Sequence, residues 1–394
     1  MAERDGAIVL KAYDRIAEIP AVQWDACAGH GNPFVRHAFL SALEDSGCVR
    51  PETGWGPYHI VMEDAAGDLV GAVPMYLKGH SQGEYIFDHG WANALERAGG
   101  RYYPKLLVAV PFVPATGPRI LVRPGPNATT VADQLVAGCI EAAKQLKITT
   151  LHFNFVTEPV WQRLGQLGLL QRTGEQFHWY NRDYASFDAF LDDLSSRKRK
   201  TIRRERRAAM ESDIEIEVFQ GGDLREEHWD AFYRFYMDTG GRKWGRPYLN
   251  RTFFSLVSER MNEQIALVLC RRAGKWIAGA LNFVGDDCIY GRHWGCTEDH
   301  RFLHFEACYY RAIDYAIEHK LARVEAGAQG PHKLARGYLP THIYSAHWIE
   351  NRNFRRAVED YLEHERLEVD REIEYLEDYT PFRRGDRPGD REQE

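Results

Sequence analysis

The sequence predicts an α/β protein made of two halves of similar build, closed by one long charged helix. Three observations carry this. The chain is 394 residues long with 44% hydrophobic content, more than one small core holds and enough for two ordinary domains. Strand-like and helix-like stretches alternate along it, and their order in residues 185–345 resembles that in residues 6–184. A stretch after residue 345 then carries an apolar stripe at helical spacing through otherwise charged sequence.

In the first half, AIVLKAY predicts a strand and FVRHAFLSALEDSG an amphipathic helix. YHIVMED and DLVGAVPMYLK form a strand pair around the turn DAAGD, a composition suited to a hairpin. ILVRPG predicts a strand, TTVADQLVAGCIEAAKQLK a helix and ITTLHFNFV a strand, and the half ends near HWYNRDY.

The second half opens with SFDAFLDDLSSRKRKTIRRERRAAMES, two helical pieces meeting at Ser195 and Ser196, and IEIEVF follows as a strand. DLREEHWDAFYRFYMDTGGRK is a helix expected to stop at Gly240 and Gly241. After the helix LNRTFFSLVSERM, the segments IALVLCRR, KWIAGALNFVG and CIYGRHWGC read as a meander with turns at Ala273–Gly274 and Asp286–Asp287. A helix, HFEACYYRAIDYAIEHK, and a strand, ARVEAG, lead into GAQGPHKLARGYLP. Residues 346–380 predict the long helix, with Phe354, Val358, Tyr361, Leu362, Val369, Ile373 and Leu376 on its stripe, and residues 381–394 a disordered tail.

Composition narrows the function. The net charge of −7 gives no general affinity for nucleic acid, so any polyanion site is local. Seven cysteines without a CxxC pair or a framework spacing suggest a reducing compartment. The charged N-terminus lacks a signal-peptide core, and no stretch approaches the roughly 18–20 apolar residues of a membrane span. A cytoplasmic protein is expected. No His/Cys spacing matches a metal site, so no metal is predicted.

Five places carry candidate chemistry. Arg197 to Arg207 holds eight cations in eleven residues opposed only by Glu205, and Arg199 and Arg203 are candidates for phosphate contact. Asp88, Trp91 and Lys105 sit in an aromatic, glycine-containing segment suited to an amphipathic ligand. On the meander, Asn282, Arg292 and Trp294 could line a site, with Asn282 as a side-chain donor. His304 opens the next helix. In the last motif, Lys333 suits an oxyanion or a phosphate, His332 or Glu325 suits a general base, and Arg336 a phosphate.

Taken together, NPFVRHAFLSALEDSG, YLKGHSQGEYIFDHGWA, YYPKLLVAVPFVPATGPRILV, RKRKTIRRER, RKWGRPYL, YGRHWGC, LHFEACYY and EAGAQGPHKLARGYLP resemble the FemAB-like predicted N-acyltransferases over about residues 30–350. That family resembles a duplicated acyltransferase fold of the GNAT superfamily. The resemblance implies two tandem GNAT-like halves, with the site in the second half, and an amide bond formed between an acyl or aminoacyl donor and an amine. A non-catalytic protein recognising a phosphorylated or peptidoglycan-type ligand is the alternative. It further implies that a strand near Asn282 to Trp294 polarises the donor carbonyl and that Lys333 lies near the transferred acyl group. The family's motif has an aromatic residue before the lysine, where this chain has His332. TEDHRFLH (297–304) has no glycine, whereas a CoA pyrophosphate loop is glycine-rich. The donor expected is acyl-CoA or aminoacyl-tRNA, with no firm cofactor, and the acceptor is a small or peptide-like amine.

Overall fold

A computed structural model describes residues 9–211, 213–243, 247–327 and 330–383. Most of the expected tail, 384–394, lies outside the described residues. The chain forms two compact α/β units. The first comprises residues up to Gly174 together with His342–Val369, and the second Glu175–Thr341 with the chain from Asp370 onward. The division expected at 184/185 is instead drawn at 174/175, and a segment after residue 341 returns to the first unit.

In the first unit, the predicted hairpin pairs His59–Glu63 with Leu69–Val73, antiparallel. The Asp64 carboxylate accepts from the backbone N–H groups of Ala66 and Asp68, and Gly67 takes φ +88°. The expected second strand breaks at Pro74, which has no N–H to give a ladder. Leu69–Val73 stay in the hairpin sheet, flanked by Leu121–Val122, while Met75–Lys78 pair with Trp55–Pro57 and Lys105–Val108. Lys105–Val108 runs parallel to Thr150–Val156, which pairs antiparallel with Tyr344–Ile349. The helix Ala128–Gln145 lays Leu135, Val136, Cys139 and Ala143 onto Met62, Leu106, Leu151 and Phe153. The long helix, Arg352–Glu377, buries Val358 and Leu362 against Trp91, Tyr102 and Leu170, whereas Tyr361 of the expected stripe is exposed.

In the second unit, Ile265–Arg272, Lys275–Val284 and Cys288–Cys296 form the expected antiparallel meander, and Ile214–Phe219 adds antiparallel to its first strand. Arg323–Glu325 then adds parallel to Cys288–Tyr290 and pairs on its other side with His178–Tyr180. The helix Glu226–Lys243 runs through Gly240 and Gly241 rather than stopping there. Gly240 serves close approach instead: a Cβ on it would meet Pro247 at 2.4 Å. The same helix packs on the meander at Gly295, where a Cβ would sit 2.2 Å from the Phe235 carbonyl oxygen.

Two long strands, Leu170–Tyr180 and Leu339–Ile349, have no counterpart in the sequence reading. Among the described residues no helix is long and apolar enough to cross a membrane.

Candidate active site

The second unit contains a cavity of about 160 Å³ beside the strand Cys288–Cys296. Two departures from regular pairing open it. Leu281 pairs with His293 and Asn282 with Gly291, so Arg292 is an extra residue and the strand bulges there. The pairing of Cys288–Cys296 with Arg323–Glu325 ends at the Tyr290–Glu325 pair, where the shorter strand stops, and Ala326 just beyond it lines the cavity. The opposite wall is helical. Leu303–Phe305 leads into a π-helical turn, Glu306–Tyr310, which directs Cys308 and Tyr309 to the cavity. Asn282, Arg292, Trp294 and His304, four of the residues singled out in the sequence, therefore line one space. Trp294 and His304 pack ring against ring, with centroids 5.3 Å apart.

The motif GPHKLARG meets the helical wall of this space through a hydrogen bond between His332 and Tyr309. Gly327 and Gly330 take φ +76° and +108°, and Pro331–Arg336 forms a short 3-10 helix. At Gly330 a Cβ would lie 2.2 Å from the His332 ring, so glycine is required both for the backbone and for the ring.

Lys333 is 1% exposed, and its Nζ donates to the Gly327 carbonyl oxygen at 2.6 Å. Burial lowers its ammonium to about 8, against a small opposing contribution from Cys308. His332 is exposed on one side, and its Nε2 lies 2.9 Å from the Tyr309 hydroxyl. Burial of the rest of the ring, then Arg336 and Lys333, holds its pKa below the ordinary histidine value, so it is neutral near pH 7. A neutral imidazole and a buried ammonium on consecutive residues thus flank cavity-lining Tyr309 and Cys308.

The remaining predicted residues are placed differently. Glu325 is buried, and its carboxylate accepts from Arg323 Nε at 3.2 Å and lies 4.0 Å from His178. Arg336 is no phosphate grip. It donates to both oxygens of buried Glu205 at 2.9 Å and to the His332 carbonyl, and it stacks on Phe305. Tyr310 donates to the same Glu205 carboxylate. The one acid of the cationic run is therefore what ties its helix, Ser196–Met210, to the Lys333 loop.

Seven of the eight cations of that helix, all but Lys198, sort into two sets. Arg199 pairs with Asp192, Arg203 with Asp188, and Arg206 with Glu306 and Asp314. Arg199 and Arg203, the expected phosphate contacts, are thus committed to acidic neighbours. Arg197, Lys200, Arg204 and Arg207 are exposed, have no ion pair among the described residues, and recur every three or four positions along one face.

In the first unit Lys105, Asp88 and Trp91 do come together, but as a closed network. Lys105 is fully buried and donates to Ser81 Oγ, Glu84 and Asp88 at 2.8, 2.8 and 2.5 Å, which occupies all three of its protons. Asp88 also accepts from Ser81 and Tyr102. Burial pushes its carboxyl up, but Lys105, His152 and these hydrogen bonds outweigh it and hold it well below the usual range. Burial raises Glu84 to about 7 and lowers nearby Lys78 to about 7. Trp91 packs edge-on against His347, under the Arg172 guanidinium. This arrangement leaves Lys105 no proton for a ligand, although Glu84 Oε1 has no hydrogen-bond partner among the described residues.

Sequence reasoning missed Gly291, Cys308 and Tyr309 as lining residues and Glu205 as an anchor. The glycine after Tyr290 was the available signal, since a glycine inside a strand marks a bulge or a close approach. No group of three or more His, Cys, Asp or Glu residues among the described residues could hold a metal.

A family model named FemAB-like, described as peptidoglycan biosynthesis/recognition, matches residues 15–384. The fold is similar to the crystal structure of FemX, with TM-score 0.54 and 13% identity over 89% of this chain and 100% of that one. It is also similar to the C-terminal domain of a putative lysylphosphatidylglycerol synthetase from Agrobacterium fabrum (TM-score 0.53, 10% identity, 89% and 96% covered). A third likeness is to L-PGS from Bacillus licheniformis (TM-score 0.50, 11% identity, 82% and 93% covered). No curated protein matches the sequence.

Proposed function

Because the chain belongs to the FemAB-like family, we propose that it is an N-acyltransferase that joins an acyl or aminoacyl donor to an amine. The observation that carries this is the bulged strand at Arg292 bordering a cavity whose wall residue Tyr309 is hydrogen-bonded to His332, the neighbour of buried Lys333. Acyl transfer requires a pocket for the donor, a positive group where the carbonyl oxygen gains charge, and a base for the amine. The donor carbonyl lies along Cys288–Cys296 just beyond the Tyr290–Glu325 pair, where backbone pairing on that side ends. The amine attacks it, the C–N bond forms, and His332 takes the amine proton while the Lys333 ammonium stabilises the oxyanion. The carbonyl re-forms as the C–O or C–S bond to the donor's leaving group breaks, and the leaving group is protonated by the histidine. Of the two candidate bases, His332 is favoured because its ring reaches cavity-lining Tyr309, whereas Glu325 is engaged by Arg323.

The pH dependence follows from these assignments. A Lys333 that works as a cation is fully charged below about 8 and loses its proton as pH rises through that value. His332 works as the neutral form, so activity falls only below its lowered pKa. The expected kcat profile is a plateau around pH 7 that declines about tenfold per pH unit above 8. A rate that keeps rising above pH 8 would assign Lys333 as the base instead.

The exposed stripe Arg197, Lys200, Arg204 and Arg207 spans ten residue steps, about 15 Å of helix, and is suited to a phosphate-bearing donor. Arg204→Glu with Arg207→Glu is expected to weaken binding of an aminoacyl-tRNA donor. It should also lower the slope of log affinity against log salt by about two. An unchanged slope would remove the stripe from donor binding.

A further inference from the structure

We propose that the acyl group travels by way of the enzyme: Cys308 takes it from the donor as a thioester, and the amine then takes it from Cys308. This rests on the acyltransfer reading and adds a covalent step to it. Burial removes most of the seven cysteines from such chemistry. It pushes Cys139 and Cys270 up to about 12 and Cys288 well above its ordinary value, and Cys27 and Cys48 are also buried. Cys296 and Cys308 are half-exposed, and of these two Cys308 alone lines the cavity. It sits on the π-helical turn Glu306–Tyr310, a departure from regular helix that recurs at functional sites.

Two further observations make the cavity a site rather than a gap in packing. Asn282 is 2% exposed, and its Nδ2 donates to the Ala266 carbonyl oxygen at 3.0 Å, which leaves Oδ1 as the free end of the amide. Oδ1 has no hydrogen-bond partner among the described residues and lies 3.5 Å from the point where a Cβ on cavity-lining Gly291 would sit. The side chain expected from the sequence to donate to an oxyanion thus presents an acceptor, and an unpaired buried acceptor calls for a ligand's hydrogen. The second observation is charge. Burial lowers Lys333, and the charge that opposes this is a thiolate at Cys308. The attraction is mutual and acts through an interior that screens weakly, so negative charge on that sulfur has a cation beside it.

The one ammonium then serves every stage, because a single negative charge moves from sulfur to carbonyl oxygen and back. In the first step the Sγ–C bond forms and the bond from the carbonyl carbon to the donor's oxygen or sulfur breaks. The thiol proton goes to that departing atom by way of His332, which shares a hydrogen bond with Tyr309, the neighbour of Cys308. In the second step the amine attack described above falls on the thioester: the C–N bond forms, the Sγ–C bond breaks, and the amine proton returns to Sγ through His332. Nothing beyond donor and amine is consumed. A cavity of about 160 Å³ holds one group of roughly benzene's size, and transfer in two steps lets donor and amine use it in turn.

The test uses the full chain with p-nitrophenyl acetate, an activated ester with a coloured leaving group, in the absence of any amine. The parent is expected to release p-nitrophenolate in a burst stoichiometric with protein and to carry an acetyl group on the Cys308 peptide. Neutral hydroxylamine, itself a small amine, should remove that group as acetohydroxamate. Acetylation of Cys308 should be at least about tenfold faster than that of Cys296, the half-exposed thiol outside the cavity. Lys333→Met should slow the burst about a hundredfold. Cys308→Ser, checked for an unchanged Tm, should lose the hydroxylamine-labile acetyl, and alkylating the parent with iodoacetamide beforehand should give the same loss without a substitution. No acetyl on a cysteine, acetylation of Cys296 as fast as of Cys308, or a burst that survives both Cys308→Ser and alkylation would overturn the proposal. Its failure is distinct from that of the acyltransfer reading: amide product formed by Cys308→Ser at the parental rate sinks the thioester and leaves the activity standing.

Discussion

Lys333→Ala is expected to lower kcat by roughly 10²–10³-fold while leaving the substrate KM within a few-fold, the loss typical when one donor to a developing oxyanion is removed. The size follows from where the charge sits. Nζ is almost wholly shielded from water and, among the described residues, hydrogen-bonds the Gly327 carbonyl alone, so the ammonium acts in a medium that screens it weakly. Burial has already lowered its pKa to about 8, so the charged form is present at neutral pH but poorly compensated. Negative charge growing on a carbonyl oxygen nearby supplies that compensation in the transition state and only there. Lys333→Met preserves most of the side-chain volume and should show the same kcat with a Tm close to the parent, which separates lost chemistry from a loosened loop. If either variant turns over at the parental rate, the oxyanion role is wrong.

Glu205→Ala is expected to destabilise the second unit by about 3–5 kcal/mol, since it leaves a buried guanidinium without its carboxylate. For a unit of this size that corresponds to a Tm lower by roughly 6–20 °C. Glu205 receives both Arg336 contacts and the Tyr310 hydroxyl, all in the interior. Arg336 is meanwhile stacked on Phe305 and bonded to the carbonyl of His332, so the damage reaches the loop that holds Lys333. Replacing both partners, Glu205→Met with Arg336→Met, should recover much of the loss because apolar side chains of similar volume carry no desolvation cost. Thermal unfolding of the single and double variants checks this. A single variant as stable as the parent would show that the pair does not anchor the loop.

Much of this fold is legible in the sequence because local chemistry and tertiary role agree. The hairpin at Asp64–Gly67 and the meander through Ala273–Gly274 are set by turn residues and by strands with a covered face. The strand Leu339–Ile349 is not legible for the opposite reason: Ser345 and His347 are buried polar residues satisfied by one another and by His152, which erases the alternation that marks a strand. Gly240 misleads because a glycine needed for close packing looks the same in sequence as one that ends a helix.

The site divides along the same line. Residue types brought Asn282, Arg292, Trp294 and His304 to attention, and they share a cavity. Which of them is saturated depends on partners distant in sequence. Lys105 and Asp88 form a closed network with each other, Arg336 is bound by Glu205, and Arg199 and Arg203 by Asp192 and Asp188. Asn282 keeps its importance with its polarity reversed, since only the register of neighbouring strands reveals that its N–H is already given to Ala266.

The central claim, that this chain forms amide bonds with Lys333 as the stabilising cation, is tested most directly by mass spectrometry of the product. The parent and Lys333→Ala are incubated side by side with an amine acceptor and either aminoacyl-tRNA or acyl-CoA. The account predicts an acylated amine from the parent with one of the two donors and a yield at least about a hundredfold lower from the variant. Absence of product from both donors, with the ligand nevertheless retained by the protein, would contradict it and leave a binding protein that keeps the fold.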